Sequence, residues 1–290
     1  MGLRISTNTQ SLAAQRNLGV NGAAQKASLE KLASGSRIVR SADDAAGLAI
    51  SENLKAQVRS TRQDIRNAND GISMIQTAEG GMNEIGNILI RFRELSIQGA
   101  TDTLGDPERR FIDKEVQQLK SEIDRIADST EFNGKKLLQG YTKEQRQAVE
   151  DGEAPLPTTD FQIGMRNDPK LDRIQYDTGK LASSTEALGV RDISVQDKKS
   201  AQDNLAHIDG AIMQLNENRS ELGALQNRLQ STVSNLTIYD ENISAANSRI
   251  RDVDMASETA ELTKNNILTS AGVAVLSQAN QNNMQALKLI

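Results

Sequence analysis

The side chains that ordinarily do chemistry are nearly missing. A single histidine (His207) and no cysteine stand among 290 residues, which removes most nucleophilic, proton-shuttling and transition-metal chemistry at once. His207 has no second histidine or thiol to join it and reads as an exposed helix residue. Asn133-Gly134-Lys135-Lys136 has the look of a phosphate loop, but Ser129 stands where the upstream glycine belongs and Lys136 where a Ser or Thr would hold magnesium, so that reading fails. The acidic pairs Asp43-Asp44 and Asp252/Asp254 lack the alternating ligands of a calcium loop and read as helix caps or helix surface. No metal, cofactor or catalytic residue is assigned, and the chain does not read as an enzyme.

Composition points the same way. Aromatic residues make up 2% of the chain and tryptophan is absent, too little bulk for the usual ligand pocket. The formal charge of −5 argues against nucleic acid as the main partner. Residues 1–40 are locally basic, with Arg4, Arg16, Lys26, Lys31, Arg37 and Arg40 against Glu30 alone. No aromatics interleave with them to stack bases, so intersubunit pairing or a solvated face is the better reading. The longest apolar stretch, Ala271-Gly272-Val273-Ala274-Val275-Leu276, is far short of the roughly 20 residues of a membrane span, and no membrane insertion is expected. Met1 to Asn8 shows no apolar signal core, so no cleaved signal peptide is expected. Asn-x-Ser/Thr triplets at Asn218, Asn235 and Asn242 all fall on a helical pattern and are weak glycosylation evidence.

What remains is periodicity. Ile208, Leu215, Leu222, Leu229, Leu236, Ile243 and Ile250 recur every seven residues, with Leu225, Tyr239, Ala246 and Val253 in companion positions. This is a coiled-coil stripe that would extend about 65 Å as a continuous helix. Ile65, Ala68, Ile72, Ile75, Ala78, Met82, Ile85, Leu89 and Phe92 step by three or four and supply a partner helix. Its glycines (Gly71, Gly80, Gly81, Gly86) weaken it but permit close helix approach. A third helix, Phe111 to Ile126, follows the start signal Asp106-Pro107. All four prolines lie between 107 and 169. The stretch of about 133–190 holds the turn signals Asn133-Gly134, Asp151-Gly152, Pro155-Leu156-Pro157 and Thr178-Gly179, with β-compatible runs at 160–164 and 171–176. The expected fold is mainly α: an elongated rod of long helices with a small β-hairpin insert.

The outer ends, 1–40 and 251–290, are rich in Ala, Ser, Asn and Gln. Their thin apolar stripes (Ile5, Leu12, Leu18, Leu29, Leu32; Leu262, Ile267, Ala271, Val275) look insufficient to order isolated helices. They are expected to be disordered or frayed in the single chain and to become helical against each other and against further copies.

Specific motifs now match a family. Ile5-Ser6-Thr7-Asn8, Leu32-Ala33-Ser34-Gly35-Ser36-Arg37-Ile38, Ala42 to Ile50 and Asn69 to Gly80 at one end, with Gly223 to Arg228, Ser248-Arg249-Ile250-Arg251-Asp252 and Gln278-Ala279-Asn280-Gln281 at the other, resemble bacterial flagellin. The resemblance covers about 1–140 and 185–290. It implies a subunit that self-assembles into the hollow helical filament of the flagellum. It assigns 1–42 with 250–290 to an inner terminal-helix domain whose helices pair as a coiled coil, and 43–249 to a helical rod carrying the hairpin region. The insert is too short for large outer domains.

The resemblance implies partners as well: other copies of the chain, an export chaperone on the C-terminal helix, and filament-cap and hook-junction proteins. It implies export through the flagellar secretion channel to an extracellular filament. Ile90 to Gln98 resembles the family segment that packs between protofilaments and that an animal Toll-like receptor recognises in many flagellins. Arg91, Leu95 and Gln98 match it, with Glu115 on the next helix. Their i, i+4, i+7 spacing puts the first three on one face, with Leu89 and Phe92 turned to the core. A hook-filament junction protein and a coiled-coil adaptor are the alternative readings.

Overall fold

The computed structural model describes residues 8–141 and 158–287, the last six of them (282–287) as backbone only. Five long helices appear among them: α1 (Thr9–Ser34), α2 (Ala45–Gly99), α3 (Asp106–Ser129), α4 (Lys198–Arg251) and α5 (Met255–Leu287). Two antiparallel hairpins join them, β1 (Glu131–Phe132) with β2 (Lys135–Lys136), and β3 (Thr158–Gln162) with β4 (Arg173–Asp177). The fold is mainly α with small hairpins. The Asp151-Gly152 and Pro155-Leu156-Pro157 signals lie outside the described residues.

The chain divides into two compact units. One comprises Met1–Val58 with Glu241–Ile290, the other Arg59–Asp240.

The core of the second unit follows the sequence periods. Ala68, Ile72, Ile75, Ala78, Met82, Ile85, Leu89 and Phe92 of α2 are buried, as are Ile208, Leu215, Leu222 and Leu229 of α4. α3 adds Ile112, Val116, Ile123 and Ala127. Burial of such side chains at about 1.5–3 kcal/mol each drives the packing. Leu236 is only half-buried, and Tyr239, a companion position, is exposed. Phe111, read as the start of the third stripe, is 68% exposed, because the apolar face of α3 runs through Ile112 and Val116 instead. The first turn of α3 has proline in the first positions, with Asp106 and Glu108 favourable to the helix dipole.

The glycines of α2 accept the β region more than another helix. A Cβ on Gly71 would lie 2.9 Å from the Phe161 ring of β3, and one on Gly81 2.7 Å from Thr130 and 2.8 Å from Leu138. Gly80 has open space around it, and Gly86 meets Leu215 of α4 at an ordinary 3.4 Å. Asn133 (φ 50°) and Gly134 (φ 78°) make the two-residue turn between β1 and β2, the left-handed pair that Asn-Gly favours.

Candidate assembly interface

In the first unit, α1 and α5 are continuous helices packed on one another; the expectation of disordered ends is corrected for the described part of both. The two run antiparallel. Asn8 Nδ2 donates to the Ala279 carbonyl (3.1 Å), Gln25 Nε2 to Asn266 Oδ1 (2.5 Å), and Lys31 lies 3.9 Å from Glu258. A Cβ on Gly272 would sit 3.1 Å from Leu18. The residues turned inward keep a heptad spacing: Ser11, Ala14, Leu18, Asn21, Gln25, Ser28 and Leu32 on α1, and Glu258, Leu262, Asn265, Thr269, Gly272, Leu276 and Ala279 on α5 are all buried or half-buried. Half of that seam is polar.

The large apolar residues lie largely outside it. Leu12 (58%), Val20 (63%) and Leu29 (49%) of α1 are exposed, as are Ile267 (63%), Val273 (55%) and Val275 (59%) of α5. Of the inner-tube residues read from the sequence, Leu32 and Leu262 are in the seam, and Leu12, Leu29, Ile267 and Val275 are on the outward faces; Ile5 is outside the described residues. The seam keeps four leucines (Leu18, Leu32, Leu262 and Leu276) but shares them with serine, asparagine and glutamine, while other large apolar residues stay outside it. Several large apolar side chains left exposed on one helix pair make both helices candidates for contact with further copies.

Residues 35–44 and 250–254 meet at the base of the pair. Gly35 (φ 68°) ends α1 in the left-handed conformation. Ser36 bridges to Asp252, Arg37 N donates to the Arg251 carbonyl (2.6 Å), and Val253 N donates to the Gly35 carbonyl (3.1 Å). The Arg37 guanidinium adds two bonds to the Ile250 carbonyl, at 3.2 and 2.8 Å. Three of the four acidic side chains, Asp43, Asp44 and Asp254, accept from backbone N–H groups here. Asp43 accepts from Val39 N and Arg40 N, which holds its carboxyl below the usual range. Asp44 accepts from Gly47 N, and Asp254 from Ala256 N and Ser257 N at the start of α5. Among the described residues no cluster of three or more metal-ligating side chains occurs, and no helix is long and apolar enough to cross a membrane.

In the second unit the Ile90–Gln98 segment lies on α2. Arg91 donates to Glu115 of α3 (3.0 and 2.9 Å) and to Glu94 (2.9 Å). These are exposed pairs, screened by water and salt, and they add little to stability. Ile90, Ile97 and Gln98 are exposed beside them. Leu95 is not: at 1% exposure it belongs to the core with Leu89 and Phe92. The expected shared face of Arg91, Leu95 and Gln98 is therefore corrected. At about 100° per residue Leu95 is rotated some 40° from Arg91 toward Phe92, enough to carry it across the edge of the buried stripe. His207 is exposed, as read.

Sequence reasoning missed three anchoring side chains of α3. Arg109, 8% exposed, donates to the Gly99 and Thr101 carbonyls and to Asp106, closing the turn from α2. Asp113 accepts from Ser194 Oγ, Val195 N and Gln196 Nε2 (3.0, 2.9 and 3.1 Å). Asp124 accepts from Thr185 N and Oγ1, each at 2.9 Å. The two carboxylates dock the 183–196 segment. A charged residue inside an amphipathic helix was the one available signal, and it does not reveal its partner.

Two models of the bacterial flagellin family match this chain. The bacterial flagellin N-terminal helical region matches residues 5–143, and the C-terminal helical region matches 205–290. Flagellin of Halalkalibacterium halodurans is 42% identical over 286 residues, covering 99% of each chain. Flagellin of Bacillus subtilis is 40% identical, covering 99% of this chain and 100% of its own. Among solved structures, Bacillus cereus flagellin superposes with a TM-score of 0.48 at 29% identity, over 63% of this chain and 94% of that one.

Proposed function

From the premise that this chain belongs to the bacterial flagellin family, we propose how its surfaces serve the flagellum. The chain is a structural subunit that polymerises with copies of itself into the extracellular flagellar filament. The finer reading rests on one observation: the α1–α5 pair buries a half-polar seam and turns Leu12, Val20, Leu29, Ile267, Val273 and Val275 outward. In this reading the outward faces meet those of neighbouring copies and form the inner tube. Each contact is modest, and repetition along the lattice makes the polymer stable.

The remaining assignments follow from the same surfaces. The inner domain comprises 1–42 and 250–290, and 43–249 is the helical rod domain that carries the hairpin region. Before assembly, an export chaperone covers the apolar face of α5, and the subunit travels the flagellar secretion channel. Filament-cap and hook-junction proteins meet the same terminal helices. Arg91, Gln98 and Glu115, with Ile90 and Ile97, form the packing surface between protofilaments, and it is this exposed set that an animal Toll-like receptor would meet.

The test replaces Leu12, Val20, Ile267 and Val275 together by serine. The monomer should keep its helical circular-dichroism signal, since none of the four lies in the seam, while seeded, salt-induced polymerisation should yield no pelletable filaments in electron micrographs. Filament growth at the unsubstituted rate would overturn the assignment.

A further inference from the structure

The outward faces raise a question of their own. The large apolar side chains outside the seam are spread around both helices: at about 100° per residue Val20 and Leu29 lie on opposite sides of α1, and Val273 and Val275 lie some 160° apart on α5, so no single stripe of large side chains dictates which faces meet. The observed seam, half serine, asparagine, glutamine, threonine and glutamate, gains less from burial. Polar core positions specify register at a cost in stability. Something other than apolar area therefore selects this register and this facing.

The directional bonds concentrate at the base of the pair. Two backbone bonds tie Gly35 and Arg37 to Val253 and Arg251, and Ser36 bridges to Asp252. The Arg37 side chain spans the remaining gap. Its Nε and Nη2 both donate to the carbonyl of Ile250, one residue from the end of α4. Carbonyls of a last helical turn have no intrahelical donor, and the helix dipole makes them negative. A guanidinium fork fits there as an ammonium would not. Its neighbours are already committed: Arg40 to Glu30, and Arg251 to Glu52. Further out, Gln25–Asn266 and the seat of Leu18 over Gly272 continue the same register.

We infer that Arg37 is a positioning residue for filament assembly: by clamping the C-terminal carbonyl of α4 it fixes the register and facing of α1 against α5, so that their apolar faces stay outward for other copies. The inference rests on the assembly role of those faces given above, and it concerns what holds them out rather than what they touch.

The absence of cysteine in the sequence makes the test clean. Two full-length double-cysteine proteins are prepared. One has Ser28→Cys with Leu262→Cys, a seam pair level in the observed register; the other has Leu29→Cys with Ile267→Cys, on the outward faces. Disulfide formation is followed in dilute monomer, before salt or seeds, with and without Arg37→Ala; seeded elongation of R37A without cysteines is measured separately. With Arg37 present, the seam pair should close several-fold faster than the outward pair, since an exposed charge-assisted contact confers only a modest bias. In R37A that ratio should fall toward unity and elongation should slow by a comparable factor.

An unchanged ratio in R37A overturns the inference. A collapsed ratio with undiminished elongation leaves Arg37 setting the facing but refutes the assembly role of the outward faces. If R37A loses its helical signal, the ratio is read on R37K, which keeps the charge but not the fork. An intermediate ratio there supports the inference, and an unreduced one overturns it.

Discussion

Removing the Asp113 carboxylate should release one specific strap of the second unit. Its three donors belong to residues 194–196, the end of a segment that sends Leu188, Val190, Ile193 and Val195 into the core. Val195 is seated so closely on α2 that a Cβ on Gly99 would be 2.1 Å from it. In Asp113→Ala the buried Val195 N–H loses its acceptor, a cost of about 1–3 kcal/mol. The Ser194 and Gln196 bonds are only part-buried, and water can replace them, so they add about 0.5–1 kcal/mol each. The sum is roughly 3 kcal/mol. For a unit of this size, at about 2–4 °C per kcal/mol, the melting temperature of the monomer should fall by roughly 6–12 °C.

Acid should erase that difference. Burial pushes the Asp113 carboxyl up, but the Val195, Gln196 and Ser194 donors outweigh it and leave it below its ordinary value of 3.8. A carboxylate depressed in the folded state contributes stability above its unfolded pKa and loses it as pH falls through the folded one. The gap between the parent and D113A should therefore be full near pH 6 and close progressively below about pH 4. The assay is calorimetry of monomer from pH 6 to pH 3, with amide exchange at Val195 as the local readout. A gap that does not change with pH, or an exchange rate at Val195 unmoved by the substitution, would refute the strap argument.

Two further stability predictions test the packing of α2. Gly80→Ala should stabilise by up to about 1 kcal/mol through helix propensity, since nothing approaches its Cβ; Gly81→Ala should lose by about 1–2 kcal/mol net, because Thr130 and Leu138 occupy that space. Denaturant midpoints measure both, and equal shifts would discredit the seat at Gly81. Ser96 is fully buried and its hydroxyl has no hydrogen-bond partner, so Ser96→Ala should raise stability by about 1 kcal/mol; a loss in the same titration would mean that the hydroxyl is satisfied.

The second unit was largely legible from residue types, because its core obeys two simple periods. The stripes on α2 and α4 are long and, on α4 as far as Leu229, buried where the periods place them, and Asn133-Gly134 makes the turn its chemistry predicts. Leu95 shows the limit: at the edge of a stripe, spacing alone does not say which side of the boundary a residue takes, and packing against α3 and α4 decides. Asp113 and Asp124 were illegible for a related reason. Their partners are some 60 to 80 residues away in sequence, and nothing local announces such a contact.

The terminal helices divide the two kinds of information most sharply. The sequence alone showed that side chains of the usual catalytic types are few and that both ends are helix-compatible and thinly apolar, and its ordered motifs resemble those of a filament subunit. It also drew attention to Leu12, Leu29, Ile267 and Val275, because large apolar residues usually mark the buried face. Only the tertiary structure decided that the buried seam takes Leu18, Leu32, Leu262 and Leu276 together with Ser11, Ala14, Gln25, Ser28, Asn265 and Ala279, leaving Leu12, Leu29, Ile267 and Val275 outside. The physical reason is that burial is a property of neighbours rather than of residue types. A helix shared between its own chain and further copies divides its faces between two contacts, and one sequence cannot say which face goes to which.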